Sequence, residues 1–384
     1  MAWFQTSETL HEHRGYIEDE PRQGPFMRAI REVVKPGDVV LDIGSGTAVF
    51  GILACMAGAR RVYAIERGGI IELARKLAAA NGCSEKIVFV PGMSTSVELP
   101  EPGDVAIADQ AGGFGFEAGM IEYFNDARRR LLKPGARTIP GRIESYIAGL
   151  EYPEGWERVD FWSRNPAGLN LSAAHQAAAN DMHFVDFKAN HLLTDPQHIA
   201  EFDLSEIIPE STPVSAELRV SRPGMFHGLG GWFVARLSAN QHMTNSPLLT
   251  ERVNRCPIYF PIDRAVPVSE GDQISISMRI LLASKVLAWR VAISDSEGSM
   301  RARFNHSTFA GELVSREERN QSRPDAIPKR SPHNRAAMLA LELIDGKSTI
   351  AEIAGAVYAQ RREQFASSDE ALKLVVEVVR HYGD

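Results

Sequence analysis

The chain has 384 residues, of which 44% are apolar and 24% charged, and a formal net charge of −7. That length suffices for two or three domains with substantial cores. The acidic balance argues against a nucleic-acid partner, and no apolar run approaches the ~18 residues of a membrane span. Cys55, Cys83 and Cys256 are scattered, odd in number and without metal-ligand spacing. They suit a reducing cytoplasm and no structural zinc. Residues 1–8 lack the character of a signal peptide.

Residues 1–35 are polar with helical spacing, closed by Pro36-Gly37. Strand and helix patterns then alternate through residue 140. Val39–Ile43 is apolar and partly β-branched, a buried strand. Phe50–Met56 reads as a helix and Val62–Ile65 as a second strand. The helix Ile70–Asn81, the strands Ile87–Pro91 and Val105–Asp109, and the helix Met120–Leu132 follow, ending in a turn at Lys133-Pro-Gly135. Such alternation predicts a parallel, doubly wound sheet. After Pro140 short β-like runs take over: Arg142–Leu150, Ala216–Val220, Gly231–Ser238, Val253–Phe260, Gln273–Leu282 and Ala288–Ile293. They predict an antiparallel sheet or barrel. Asp160–Gln197 reads as an inserted, amphipathic helical arm. Glu312–Pro332 is charged and proline-bearing, a linker. Three short helices follow, Ala336–Ile344, Ile350–Tyr358 and Ala371–Arg380. Thr349/Glu352 and Ser367/Glu370 have capping-box spacing. Helices this short must pack together to be stable.

The stretch Asp38-Val-Val-Leu-Asp-Ile-Gly-Ser-Gly-Thr47 carries the chemistry. A buried strand runs straight into Gly44 and Gly46, where the backbone can turn tightly and approach a ligand. The next strand ends in Glu66, 20 residues after Gly46. A carboxylate there can accept from two ribose hydroxyls. The dinucleotide fingerprint needs glycine at position 49, which is Val49, and Gly51 comes too late. The loop also opens with Asp42, a feature typical of S-adenosylmethionine (SAM) enzymes. SAM has no pyrophosphate to place on a helix N-terminus. The expected cofactor is therefore SAM, with S-adenosylhomocysteine as product; a nicotinamide or flavin nucleotide, or a glycine-rich turn with no ligand, are the alternatives.

With these motifs in view, residues 10–310 resemble the protein arginine methyltransferase family. His13-Arg-Gly-Tyr-Ile-Glu-Asp-Glu-Pro-Arg22 resembles the family's N-terminal helix that closes over SAM. The resemblance implies that Arg22 pairs with the methionine carboxylate, which suits a guanidinium fork. It also implies that His13 can touch the roof of the active site, the alternative being a surface histidine. Gly92–Pro100 stands where the family has its adenine loop, with Thr95 in place of the usual glutamate. The implied cofactor-binding set is Arg22, Asp42, Gly44, Ser45, Gly46, Glu66, Arg67, Met93, Ser94 and Thr95. The arm resembles the family's dimerisation arm and implies a homodimer. The implied fold is a Rossmann-like SAM-binding domain over 1–140, then a β-barrel-like domain over 141–315 with its arm at about 160–197. A small helical module over 331–384 completes it.

Two features depart from the family. Its active-site hairpin carries two glutamates nine residues apart that clamp the substrate guanidinium, which is always charged. Here Asp109 takes the first place and Ala118 the second, with Glu117 one residue early. Asp109 and Glu117 could form a working acid pair for a cationic or amine nitrogen. Asp109 could instead act alone as a base or anchor for another acceptor. In the bland alternative, Asp109 caps the next helix and Glu117 is a first-turn acid. The family's Thr-His-Trp loop should fall near Thr250-Glu-Arg-Val-Asn-Arg255, which does not match it.

The C-terminal run Leu341–Ala354 resembles PqqD-like winged-helix modules, which implies docking of a leader peptide. It could equally be a helical cap or dimer contact. The expected activity is methyl transfer to a nitrogen of a peptide or protein side chain. A small-molecule N- or O-methyltransferase and a non-catalytic SAM-binding scaffold or sensor are the alternatives.

Overall fold

The computed structural model describes residues 9–282, 284–321, 323–329 and 331–382. The expectation for residues 1–8 lies outside them. The chain divides into two units, Met1–Glu312 and Leu313–Asp384.

The first unit opens with helices α1 (Leu10–Glu18) and α2 (Glu20–Val33). Thr9 starts α1 through a capping box: its Oγ1 accepts from the Glu12 N–H at 3.3 Å, and Glu12 accepts from the Thr9 N–H at 3.2 Å. The chain then alternates β1 (Val39–Ile43), α3 (Val49–Met56), β2 (Arg61–Glu66), α4 (Ile71–Ala80), β3 (Ile87–Pro91), β4 (Gly103–Ala108), α5 (Met120–Arg130) and β5 (Leu132–Ile139). The five strands form one parallel sheet in the order β3-β2-β1-β4-β5. All five residues of β1 are buried, as a central strand covered on both faces requires. The strand order reverses between β1 and β4, so a crevice opens beyond their carboxyl ends, the usual ligand position in such sheets.

The turn expected at Lys133–Gly135 is instead a bulge inside β5. Gly103 pairs with Leu132, and Val105 next pairs with Arg137, so the intervening residues loop out of the ladder. Pro134 has no N–H to offer the ladder. The local turn signal was real, but the strands on either side of it overrode it.

Ten more strands build the rest of the first unit. They are β6 (Arg142–Leu150), β7 (His183–Phe184), β8 (Gln197–Asp203), β9 (Ser211–Arg219), β10 (Gly224–Arg236), β11 (His242–Thr244), β12 (Ile258–Val268), β13 (Gln273–Leu281), β14 (Val286–Ser294) and β15 (Met300–Ser307). One antiparallel sheet runs β7-β12-β10-β6-β8, with β11 on β10; the other runs β15-β14-β13-β9. β8 lies against β9 and β12 against β15, which gives the two sheets a barrel-like arrangement. The expected strand Val253–Phe260 begins only at Ile258, because the preceding residues serve the site instead of the ladder.

The arm is not one amphipathic helix. Residues 160–197 hold one seven-residue helix, Ala173–Ala179, three 3-10 turns and the short strand β7, which joins the sheet through β12. Pro166, Gly168 and the left-handed Asn165 and Ala167 break the helical period.

The second unit contains the helices Arg316–Gln321, Pro332–Glu342, Ile350–Gln360 and Ser368–Tyr382. Ala336, Ala340, Ile353, Val357, Val375 and Val378 form its core. Thr349 and Glu352 make the expected capping box. Ser367 caps Glu370 at 3.4 Å, but Glu370 accepts from the Ala366 N–H, one residue short of the box. The described residues of this unit include no strand, so the wing of a winged helix is not seen among them.

Ala48, buried just before α3, has φ 58° and ψ 28°, a left-handed conformation that costs a non-glycine residue about 1–2 kcal/mol. Glycine would lose part of that gain, about 0.4–1 kcal/mol, to its greater freedom when unfolded. Ala48→Gly is expected to raise unfolding free energy by up to about 1 kcal/mol in urea titration. A clear loss of stability would show that the Ala48 methyl packs more favourably than its backbone is strained.

Candidate functional site

A cavity of about 420 Å³ lies at the carboxyl ends of β1 and β4. His13, Arg22, Asp42, Gly44, Ser45, Gly46, Glu66, Arg67, Met93, Ser94, Asp109 and Glu117 all line it. Thr95 does not: its side chain is on the exposed side of the loop, whereas Met93 and Ser94 face inward. Of the three loop residues, Met93 and Ser94 are therefore the ones brought to the cavity. Arg130 from α5 fastens this loop, donating to the Ser94 and Val97 carbonyls at 2.7 and 2.9 Å.

The glycine loop is shaped by close approach. Gly44 and Gly46 have φ of 67° and 52°. A Cβ on Gly46 would meet the His13 ring at 3.0 Å, so α1 closes directly onto the loop. Glu66 braces the same loop, accepting from the Gly46 N–H at 2.9 Å and the Gly68 N–H at 2.7 Å. A carboxylate has about four acceptor positions, so these bonds leave capacity for a ligand. Asp42, buried at the end of β1, accepts from the Gly51 N–H in the first turn of α3 at 2.8 Å. Burial pushes its carboxyl up to about 7, helped by the nearby Glu66 charge and opposed by the Gly51 N–H and Arg22.

The acceptor end is built around Asp109, whose side chain is 8% exposed. Two arginines share its Oδ2. Arg22 donates from Nε, and Arg255 donates from Nη2 at 2.9 Å while also reaching the Asp109 carbonyl at 3.3 Å. Burial alone would raise the Asp109 carboxyl, but the charges of Arg22 and Arg255 hold it below the usual carboxylate range. Arg22 also lies 4.9 Å from the Phe50 ring centroid and 5.3 Å from that of Tyr16. Next to this cluster, Asp19 accepts from the Asn254 N–H at 2.9 Å. The α1–α2 junction is thus tied to the loop before β12.

Glu117 is used differently. Its carboxylate accepts from the backbone N–H groups of Gly113, Phe114 and Phe116, so it holds the turn after β4. Burial raises its carboxyl, opposed by those amides. Both acids of the expected pair line the cavity; Asp109 spends Oδ2 on Arg22 and Arg255, and Glu117 spends its carboxylate on backbone amides. The turn is pinned from the barrel as well. Fully buried Asn245 donates to the Gly113 carbonyl at 2.7 Å and accepts from the Phe233 N–H at 3.0 Å. Ser145 donates to the Phe114 carbonyl at 2.8 Å.

Four buried polar atoms of cavity-lining residues have no hydrogen-bond partner among the described residues: Ser45 Oγ, Asp109 Oδ1, Gln110 Oε1 and Arg255 Nη1. Unpartnered buried groups are costly, and all four belong to residues that line the cavity. Sequence reasoning missed Arg255, Gln110 and Asn245. None of the three carried a local signal, because only the fold brings them to the site.

Comparison with known proteins follows this geometry. Residues 142–288 match the family model of the arginine methyltransferase oligomerization subdomain, and residues 26–139 that of ribosomal protein L11 methyltransferase. The probable protein arginine N-methyltransferase 6 of Arabidopsis thaliana is 30% identical over 248 residues, 62% of this chain and 57% of that protein. The histone-arginine methyltransferase CARMER of Drosophila persimilis is 27% identical over 266 residues, 64% of this chain and 49% of that protein. The chain thus spans about half the length of the curated relatives it matches. Two solved structures share its fold at 19% identity and a TM-score of 0.67, each covering 78% of this chain and 98% of that one. They are the Arabidopsis thaliana protein arginine methyltransferase 10 and a Trypanosoma brucei PRMT1 enzyme–prozyme heterotetramer with AdoHcy. The chain is similar to protein arginine methyltransferases in both its parallel-sheet and barrel-like parts. Both family matches end before the C-terminal helical unit.

Asp42 gives this site a pH signature. Its folded carboxyl is raised to about 7 from an ordinary 3.8. Between those values the folded chain holds a proton that the unfolded chain releases, so this group's contribution to stability falls as pH rises and levels off above 7. Asp42→Asn removes that slope. Urea unfolding at pH 5, 6, 7 and 8 should show the variant gaining on the wild type up to about 7 and not beyond. A constant difference across the series would contradict the raised carboxyl.

Proposed function

We propose that this chain is a SAM-dependent methyltransferase acting on a peptide or protein side chain. The observation that carries the reading is the cavity itself: a left-handed glycine loop, Glu66 at the end of the next strand, and unpartnered buried groups on Ser45 and Gln110. The residues fit the cofactor. Gly44 and Gly46 admit close backbone approach, Glu66 has acceptor capacity for ribose hydroxyls, and Met93 and Ser94 line the side expected for adenine. Arg22 would hold the amino-acid carboxylate. When bound, SAM supplies an activated methyl on a sulfonium. The chain's own part is to position the acceptor, exclude water and close α1 and α2 over the cavity.

Similarity to protein arginine methyltransferases supports a macromolecular acceptor, and the match of residues 142–288 to an oligomerization subdomain supports a homodimer. The three cysteines are free thiols, in keeping with a reducing cytoplasm. Among the described residues no helix is long and apolar enough to cross a membrane. In this proposal the C-terminal helical unit docks a peptide, in line with its resemblance to PqqD-like modules. A guanidinium clamp made by Asp109 and Glu117 finds little support in the geometry: Arg22 and Arg255 occupy the first acid, and backbone amides occupy the second.

The test uses SAM labelled on its methyl group, incubated with the full chain and a lysate of its own host, then separated by size. Label in the peptide or protein fraction is the expected result. Label confined to small molecules would favour a metabolite acceptor. No label, with SAM binding shown separately, would favour a sensor or scaffold.

A further inference from the structure

Three side-chain clusters lie outside the cofactor loop. The buried thiols Cys55 and Cys83 interact with each other, but nothing around them points to a ligand. His306 is buried against Trp289 inside the barrel-like part, and its neighbours point to no ligand chemistry. The cluster at Asp109 has both a cavity and unsatisfied chemistry.

Asp109 carries one negative charge and contacts two permanently charged guanidiniums. Arg22 belongs to the N-terminal helices and adjoins the nucleoside end through Phe50. Arg255 comes from the loop before β12 and is only 18% exposed. It spends Nη2 on Asp109, while its Nη1 is buried without a partner and the residue lines the cavity. A guanidinium presents a fork of donors, and the natural occupant of an open fork position is a carboxylate. A cationic acceptor would meet the opposite situation. To reach Asp109 it would have to approach Arg255 at close range, where like charges repel strongly away from bulk water. Glu117 offers no easy substitute, because ligating a cation would compete with the three amides that its carboxylate holds.

From this arrangement we infer that the acceptor site selects a carboxylate-bearing substrate, with Arg255 as the residue that binds the carboxylate. The inference rests on the methyltransferase reading and narrows its substrate class. Asp109 then acts as a positioning residue: it holds the Arg255 guanidinium at the cavity wall and balances the second arginine. The unpartnered Asp109 Oδ1 remains to accept from a neutral N–H or O–H of the same substrate.

The test measures binding, not turnover. The full chain is saturated with S-adenosylhomocysteine and titrated with two end-blocked single residues, N-acetyl-glutamate N-methylamide and N-acetyl-arginine N-methylamide, read by ligand-observed NMR. The blocked glutamate should bind at least tenfold tighter than the blocked arginine. Arg255→Ala should weaken the blocked glutamate by about 10- to 100-fold, the range for a hydrogen bond to a charged group. Arg255→Lys should restore part of it, since charge returns without the fork. Retained S-adenosylhomocysteine affinity shows that each variant is folded. Equal or tighter binding of the blocked arginine, no effect of Arg255→Ala, or no binding of the blocked glutamate would each overturn the inference. Failure of S-adenosylhomocysteine itself to bind would instead strike the methyltransferase reading.

Discussion

The ionised Asp109 carboxylate between Arg22 and Arg255 is the constraint on which the site depends. Three distant segments meet there: the N-terminal helices, the end of a central parallel strand and the loop entering β12. A lone buried carboxylate would take up a proton, whereas two guanidiniums hold this one charged. Removing one partner from such a buried cluster costs about 3–5 kcal/mol, chiefly because a charge is left uncompensated. The N-terminal helices are therefore not an appendage. Phe26, Ala29 and Ile30 seat them in the core, while Arg22 on Asp109 and Asp19 on the Asn254 N–H tie them to the site.

That constraint also explains why the similarity to arginine methyltransferases is uneven. The parallel sheet and glycine loop stand where the sequence placed them, and Glu66 also braces Gly46, a contact the sequence did not suggest. The acceptor end keeps an acid in place but surrounds it with the chain's own cations. Glu117, which the sequence suggested as a second clamp, has become part of the turn's backbone bonding.

Most of the parallel sheet was legible because its signals are local. Val39–Ile43 is an unbroken apolar run, and Gly44, Gly46 and Glu66 sit at spacings with a direct physical meaning. The C-terminal helices were legible from capping residues such as Thr349 and Glu352. The failures are non-local. Lys133–Gly135 has turn chemistry, yet pairing across to β4 absorbs it as a bulge. The arm has helical composition, but left-handed Asn165 and Ala167 and pairing to β12 break it up. Arg255 and Asn245 were invisible because each gains its role from a partner more than 100 residues away, Asp109 and Gly113 respectively.

The most direct measurement is a calorimetric titration of S-adenosylhomocysteine into the full chain, repeated with Glu66→Gln and with NAD. The account predicts one site per chain, at least tenfold weaker binding in the variant through loss of a charged acceptor, and no comparable binding of NAD. No heat from S-adenosylhomocysteine, or tighter binding of NAD, would contradict it.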